Sequence, residues 1–380
     1  MKKVTVWEMN GVMNAGGTES LIMEIFRNSL SRVKYILVVH VENDIAKGIY
    51  DDEIRLLGVP IHYLPSVGSG GIREYIRAFQ KLVQKIGTPD VIHCHLNAVS
   101  GVIVLAAKKA GIKCRIIHCH ADITYKGSFI CRMVNETKLA IMKILVNRYG
   151  NYYWACSSRA ANRLFYYNKK KTVIPNVISV EKYLHTDKKY KEEREALGIE
   201  TDVVVIGSIG RIARIKNYEV LIQSVAEMRR CNKNILLICY GRIVDQEYYD
   251  SLVHLMQECR VGNAVRFMGN SQQIYSAISA FDVFVMPSLT EGFGVAALEA
   301  QAAGLQTLVS TGVPREIDMG LQLVQYIDPH TVTDWVTAIE NHCKNRPSKE
   351  VIIQAFENNG YSAANAVKEI ENKFIEMAGK

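Results

Sequence analysis

At 380 residues the chain is too long for one ordinary core, so two domains or more are expected. A hydrophobic share of 48% with 22% charge is ordinary for a soluble globular protein, and nine cysteines, odd in number and without a C-x-x-C pair, argue against a disulfide framework. The net charge of +8 is uneven: residues 1–180 hold 25 basic against 12 acidic side chains, and within 101–180 there are 14 basic side chains against only Asp122 and Glu136. That split suggests an anionic partner for the first half, or a basic face that simply meets water.

In chain order, the first residues lack the long apolar run of a signal peptide, and the longest apolar run in a helical context, 102–107, is far short of the roughly 18–20 residues a bilayer span needs. A cytoplasmic protein is expected. Residues 4–7 read as a strand, with Gly16-Gly17 turning into a helix over 18–30. Strands follow at 35–40, 90–94, 115–119, 152–156 and 172–174. Helices alternate with them at 72–86, 98–110 and 128–147, the first with apolar residues at Ile72, Tyr75, Ile76, Phe79, Leu82 and Val83. Residues 185–200 are polar and highly charged, like a linker. The pattern then restarts with an almost unbroken apolar strand over 203–209, followed by strands at 235–240, 265–268, 283–286 and 307–310 and helices at 217–230, 246–260, 272–280 and 295–303. Strands alternating with helices imply two doubly wound parallel-sheet units, with ligands beyond the carboxyl ends of the strands. Two such units facing each other would place an active site in the cleft between them. The expected boundaries are 1–180, 181–360, and a C-terminal helix over 361–380 that could return to the first domain.

The sharpest chemical signal is the segment from Pro287 to Gly304, which contains Glu291-Gly292-Phe293-Gly294-Val295 and then Glu299. A strand ends, a turn with two glycines follows, and a helix opens. Its free N–H groups and positive dipole end favour a phosphate, and the glycines let backbone approach a ligand closely. Carboxylates suit the vicinal hydroxyls of a ribose or hexose. A second signal is Gly210-Arg211-x4-Lys216, again between a strand and a helix. The Arg fork and a mobile Lys ammonium suit a diphosphate. A third is Gly16-Gly17-Thr18-Glu19 after the first strand. His93-Cys94-His95 and His118-Cys119-His120 end two strands that could be neighbours, with both histidines of each pair on one face. A four-histidine metal site, core histidines and an active-site histidine are all compatible with that pattern.

The Glu291–Glu299 spacing resembles the E-x7-E region of the retaining, family-4 nucleotide-sugar glycosyltransferases of GT-B fold, and looks most like the bacterial exopolysaccharide and capsule transferases. The G-R-x4-K and Gly-Gly-x-Glu segments, the Ile174–Ile178 run and the strand ending Met268-Gly269 resemble further parts of that pattern, so the likeness spans nearly the whole chain. Gln306-Thr307 stands where the family usually has Pro-Val, and Val177 where it has glycine.

The resemblance implies that Glu299 holds the donor ribose, Glu291 the donor sugar, and amides near Gly294 and Val295 the diphosphate, with Gly292 and Phe293 also at the donor. It implies that Arg211 and Lys216 stabilise the leaving nucleoside diphosphate, that Gly16 and Gly17 face donor and acceptor, and that backbone near Met268 reads the base. His120 is the histidine placed at the donor sugar. The implied partners are a UDP-sugar and a glycan or polyprenyl-diphosphate-linked acceptor, with peripheral contact to an anionic membrane through the helix over 128–147. No metal, no cofactor and no nucleic acid are expected. A UDP-amino-sugar epimerase and a non-catalytic sugar-nucleotide-binding subunit would share the phosphate cradle.

Overall fold

The computed structural model describes residues 3–14, 16–41, 47–120, 129–271, 273–343 and 345–379. The chain divides into two compact units: residues 1–177 with 363–380, and residues 178–362.

The first unit holds seven strands: β1 (Val4–Asn10), β2 (Val33–Val41), β3 (Ile61–Pro65), β4 (Val91–Cys94), β5 (Cys114–Cys119), β6 (Tyr152–Ala155) and β7 (Lys171–Val173). All pair in parallel, in the order β3-β2-β1-β4-β5-β6-β7. The second holds β8 (Val204–Ile209), β9 (Ile235–Tyr240), β10 (Val265–Gly269), β11 (Val283–Met286), β12 (Gln306–Ser310) and β13 (Val324–Ile327), also parallel, in the order β10-β9-β8-β11-β12-β13. This is the two-sheet α/β architecture expected from the alternation of strands and helices.

Each sheet reverses its strand order once, at β1/β4 and at β8/β11. Loops leaving the carboxyl ends of those strands diverge to opposite sides and leave a crevice, where ligands of such sheets bind.

Two edge strands, β3 and β13, carry no sequence signal strong enough to announce them. Both are short, and each has a single buried residue. The supposed linker over 185–200 is in fact a helix, Asp187–Ala196, with the Thr186 hydroxyl capping the Lys189 amide. Its charge misleads because one cation faces inward. Arg194 is buried, pairs with Asp282 at 2.9 Å and donates to the carbonyls of Glu200 and Val203.

The last helix, Ala363–Ala378, packs Val367, Ile370 and Phe374 into the apolar core of the first unit, beside Tyr35, Val91 and Trp154. Its Glu371 is fully buried and accepts from the Ser29 hydroxyl, the Leu30 amide and the Tyr35 hydroxyl at 3.0–3.1 Å. The predicted helix starts at Ser128 and Gln272 fall outside the described residues, and the helices are seen from Phe129 to Tyr149 and from Ile274 to Ser279.

Candidate functional site

In the second unit the two sequence signals converge at the β8/β11 crossover. Strand β8 delivers the loop Gly210–Asn217, and β11 delivers the loop that ends at Gly294. The loops are laced together by Leu289 N–H to the Ile215 carbonyl at 2.8 Å and by the Asn217 amide to the carbonyls of Pro287 and Pro329 at 3.3 and 2.7 Å. Asn217 itself takes the left-handed conformation that starts the helix Tyr218–Arg230.

Lys216 is not a mobile ammonium. Its Nζ donates to Glu291 Oε1, which also accepts from the Ser288 hydroxyl at 2.7 Å. Lys216 and Glu291 are both mostly buried, so their pairing offsets a desolvation that either would suffer alone. Arg211, by contrast, is exposed and makes no ion pair among the described residues. One cation is therefore held in place and the other is presented to solvent.

Close backbone packing shapes the loop. A Cβ at Gly241 would lie 1.9 Å from the Gly210 carbonyl oxygen, and its φ of +153° is itself unfavourable for a side chain.

Gly294 caps the helix Val295–Ala302 with φ +108°, a left-handed conformation that glycine adopts freely. Gly294 has no side chain with which to cap that helix start, so the amides of Val295 and Ala296 at its first turn are suited to a ligand. Gln301 pins the helix by donating to the Ala297 and Ile317 carbonyls and accepting from Met319 N–H. Glu299 is nearly buried and accepts from the Tyr183 hydroxyl at 2.9 Å.

Phe293 offers a ligand its backbone and not its side chain, because its ring is buried and stacks on Tyr361 at 5.7 Å. Met268 sits in a register shift of β10, next to Gly269, with its side chain 39% exposed.

In the first unit, Gly16 precedes the helix Gly17–Arg27 in an extended conformation that any residue adopts. Glu19 folds back toward it and accepts from the Asn10 amide at 3.3 Å.

The histidine pairs end neighbouring strands β4 and β5 and face each other. His93 and His118 stack at 5.2 Å, with Nε2 of one 3.1 Å from Nδ1 of the other. His95 and His120 stack at 5.0 Å, with Nδ1 2.8 Å from Nε2. The His120 amide donates to Asn97 Oδ1 at 2.8 Å, and the residues after it, Ala121 and Asp122, lie outside the described residues.

Under both pairs lies Glu8 on β1, fully buried, with Oε2 2.7 Å from His95 Nε2 and 2.9 Å from His93 Nδ1. Burial works to raise the Glu8 pKa, but His93 and His95 more than offset it and bring it down to about 2. Burial, helped by neighbouring histidines, pushes His95 down to about 4 and His118 and His120 well below their usual range. The cluster thus sets one carboxylate beside His95, His118 and His120, three imidazoles that burial holds against protonation.

His93, His95 and His118 each bring a ring nitrogen within 4.8 Å of the others, close enough for a metal ion. Hydrogen bonds already tie those rings to one another, to Glu8 and to the Ile174 carbonyl. The sequence did not single out Glu8, although a lone acid in the middle of an otherwise apolar strand is the available signal.

Two family models match and together account for most of the chain: Glycosyltransferase Family 4 over residues 15–182 and Glycosyl transferases group 1 over residues 189–359. "Putative glycosyltransferase EpsF" of Bacillus subtilis (strain 168) is 28% identical over 369 residues, covering 95% of this chain and 94% of its own. A D-inositol 3-phosphate glycosyltransferase of Stackebrandtia nassauensis is 27% identical over 77% of this chain and 71% of its own. Among solved structures, Anabaena Alr3699/HepE in complex with UDP-glucose aligns with a TM-score of 0.75 at 18% identity, covering 99% of both chains. A Rickettsia africae glycosyltransferase aligns with a TM-score of 0.76 at 16% identity, again over 99% of both. With both family models in chain order on two parallel sheets, the chain belongs to the family-4 glycosyltransferases of GT-B fold.

Proposed function

We propose that this glycosyltransferase moves a hexose or N-acetylhexosamine from a UDP-sugar, with retention of configuration, to a glycan or lipid-linked acceptor in cell-surface polysaccharide synthesis. The observation that carries the reading is the meeting, at one sheet crossover, of Arg211, the Lys216–Glu291 pair and the uncapped start of the helix Val295–Ala302. The UDP-glucose complex of the Anabaena relative supports the choice of donor, and the Bacillus subtilis relative supports the exopolysaccharide setting. In this reading the second unit holds the donor. Amides at 292–295 and Arg211 take the diphosphate, Glu299 with Tyr183 takes the ribose, and Glu291, fixed by Lys216 and Ser288, takes the sugar. The first unit serves the acceptor, with His120 and the loop at Gly16 and Gly17 assigned to the transfer step by the sequence resemblance.

As the bond from the anomeric carbon to the diphosphate breaks, negative charge grows on the leaving oxygen, and preorganised donors stabilise it without reorganising. The acceptor oxygen bonds to the same face of the anomeric carbon, and its proton passes to the departing phosphate. Because protein cations serve the diphosphate, transfer should persist in the presence of a chelator. Loss of turnover on chelation, restored by a stoichiometric metal, would overturn that part. A panel of nucleotide sugars tests the donor. At 100 times its Kd, the true donor should stabilise the fold by about 2.7 kcal/mol, and the anomeric configuration of the product, read by NMR, tests retention. A donor that is consumed without an acceptor to give an epimer would replace the transferase with an epimerase.

We also infer a peripheral membrane contact on the inner face of the cell membrane. Among the described residues no helix is long and apolar enough to cross a membrane. The helix Phe129–Tyr149, however, buries Leu139 and Val146 on one side while Met133, Val134, Ile141 and Ile144 remain 44–54% exposed. At 100° per residue these four share one stripe, with exposed Lys138 along its edge and exposed Arg148 in line with it at the C-terminal end. Apolar side chains framed by cations suit an anionic lipid surface, where each cation contributes roughly 1 kcal/mol. Sedimentation should show binding to anionic vesicles that weakens with salt and weakens again in K138Q/R148Q. Equal, negligible binding to neutral and anionic vesicles at low salt would leave a soluble acceptor.

A further inference from the structure

The proposed function uses His120 but leaves unexplained the buried groups behind it in the first unit, His95 and Glu8. We propose that Glu8, acting through His95, fixes the tautomer of His120 so that His120 presents a bare Nδ1 as hydrogen-bond acceptor to a sugar hydroxyl; the hydroxyl partner rests on the function proposed above, the tautomer does not.

The hydrogen-bond directions follow from the end of the chain. Glu8 sits on β1, register-paired with His93 of β4, and is fully buried. The flanking histidines hold its pKa down, so it is a carboxylate with no proton to donate. His95 Nε2, 2.7 Å away, must therefore carry the proton and donate it. A neutral imidazole has one N–H, and burial pushes His95 down to about 4, so its Nδ1 is an acceptor at neutral pH. His120 Nε2 lies 2.8 Å from that Nδ1 and must donate to it. His120, also kept neutral by burial and its neighbours, then has its lone pair at Nδ1.

That nitrogen is buried and, like Oδ1 of Asn176, lacks a hydrogen bond of good geometry among the described residues, although the Asn176 side chain is close enough to His120 to work against the lowering of its pKa. The loop amide of His120 is held by Asn97, so the ring has little freedom to turn away. The second branch of the cluster does not compete for His120. His93 and His118 bond to each other, and His118 Nε2 reaches the Ile174 carbonyl at 3.3 Å. Glu8 is a positioning residue, since two imidazole rings separate it from any substrate.

The test reads protonation directly. In the full-length wild-type protein labelled with 15N-histidine, ring-nitrogen shifts should show His95 and His120 both protonated at Nε2 and bare at Nδ1. Assignment comes from H95F and H120F. A protonated Nδ1 on His120 in the wild type overturns the proposal without any variant having to fold. Glu8→Leu removes the acceptor while filling the space with a side chain of similar size. It should release the His120 tautomer into a mixture and lower kcat about tenfold or more, with donor KM changed less than about threefold. His95→Phe should do the same, and E8L/H95F should be no worse than either single variant, because both act through one chain. Unchanged His120 nitrogen shifts in E8L and H95F overturn the proposal. Released tautomers with unchanged kcat uphold the role of Glu8 and remove His120 from the transfer step, so the two claims fail separately.

Discussion

Arg211→Ala lowers kcat by about 10²- to 10³-fold while leaving thermal stability nearly unchanged. The expected loss is about 2–4 kcal/mol of transition-state stabilisation, the scale of one preorganised donor to a developing anion. Stability is spared because Arg211 is exposed and makes no ion pair among the described residues. Lys216→Ala also removes activity, but among the described residues it leaves the mostly buried Glu291 carboxylate with the Ser288 hydroxyl alone as hydrogen-bond partner. Breaking a buried pair from one side costs about 3–5 kcal/mol. Lys216→Ala should therefore lower the melting temperature as well as kcat, and its kinetics alone assign no role to the lysine. Arg211→Ala is the cleaner probe. Steady-state kinetics beside a thermal melt decide it. Near wild-type turnover in Arg211→Ala would remove the exposed cation from the mechanism.

Acidification from pH 7 to pH 4 destabilises the first unit steeply, and His40 accounts for a separable part. His40 is buried, with Nδ1 3.0 Å from the Asn10 carbonyl and Nε2 2.8 Å from the Tyr75 hydroxyl. A neutral ring satisfies both contacts, donating to the carbonyl and accepting from the hydroxyl. Protonation would put a charge in a buried site and force the Tyr75 hydroxyl to accept, taking away the acceptor for its own proton. Burial accordingly lowers its pKa from about 6.5 to about 4, the Asn10 carbonyl partly opposing the shift. The folded value is the depressed one, so the contribution is complete above the unfolded value of about 6.5. It is lost as pH falls toward 4, at about 1.4 kcal/mol per unit, or roughly 3 kcal/mol in all. His95, also depressed to about 4, adds a loss of the same sign over the same window, whereas Glu8, brought from 4.5 down to about 2, adds its loss mainly below pH 4.5. Denaturant melts at several pH values should show the slope, and it should be shallower in His40→Gln. An identical slope in that variant would assign the acid sensitivity elsewhere.

Much of this protein was legible in the sequence, because its signals are local. Apolar runs such as Val204–Ile209 must be buried on both faces, and glycine at 294 permits a left-handed turn before a helix. Alternation of strands and helices implies parallel sheets wherever it occurs. What the sequence could not supply was which strands become neighbours. Strands β8 and β11 are about 75 residues apart in the chain, yet they lie side by side at the crossover. Only that adjacency lets Lys216 meet Glu291, turning a cation expected to be mobile into a fixed one. Glu8 is the same case. Its strand pairs with β4 across more than 80 residues, so an acid in an apolar run finds the histidines that justify its burial. The helix Asp187–Ala196 was misread because composition counts charges without saying which way they face, and Arg194 faces Asp282. Local propensity and spacing act over a few residues and are written in sequence order. The burial of a charge and the partner that offsets it are set by long-range packing, which the linear order does not record.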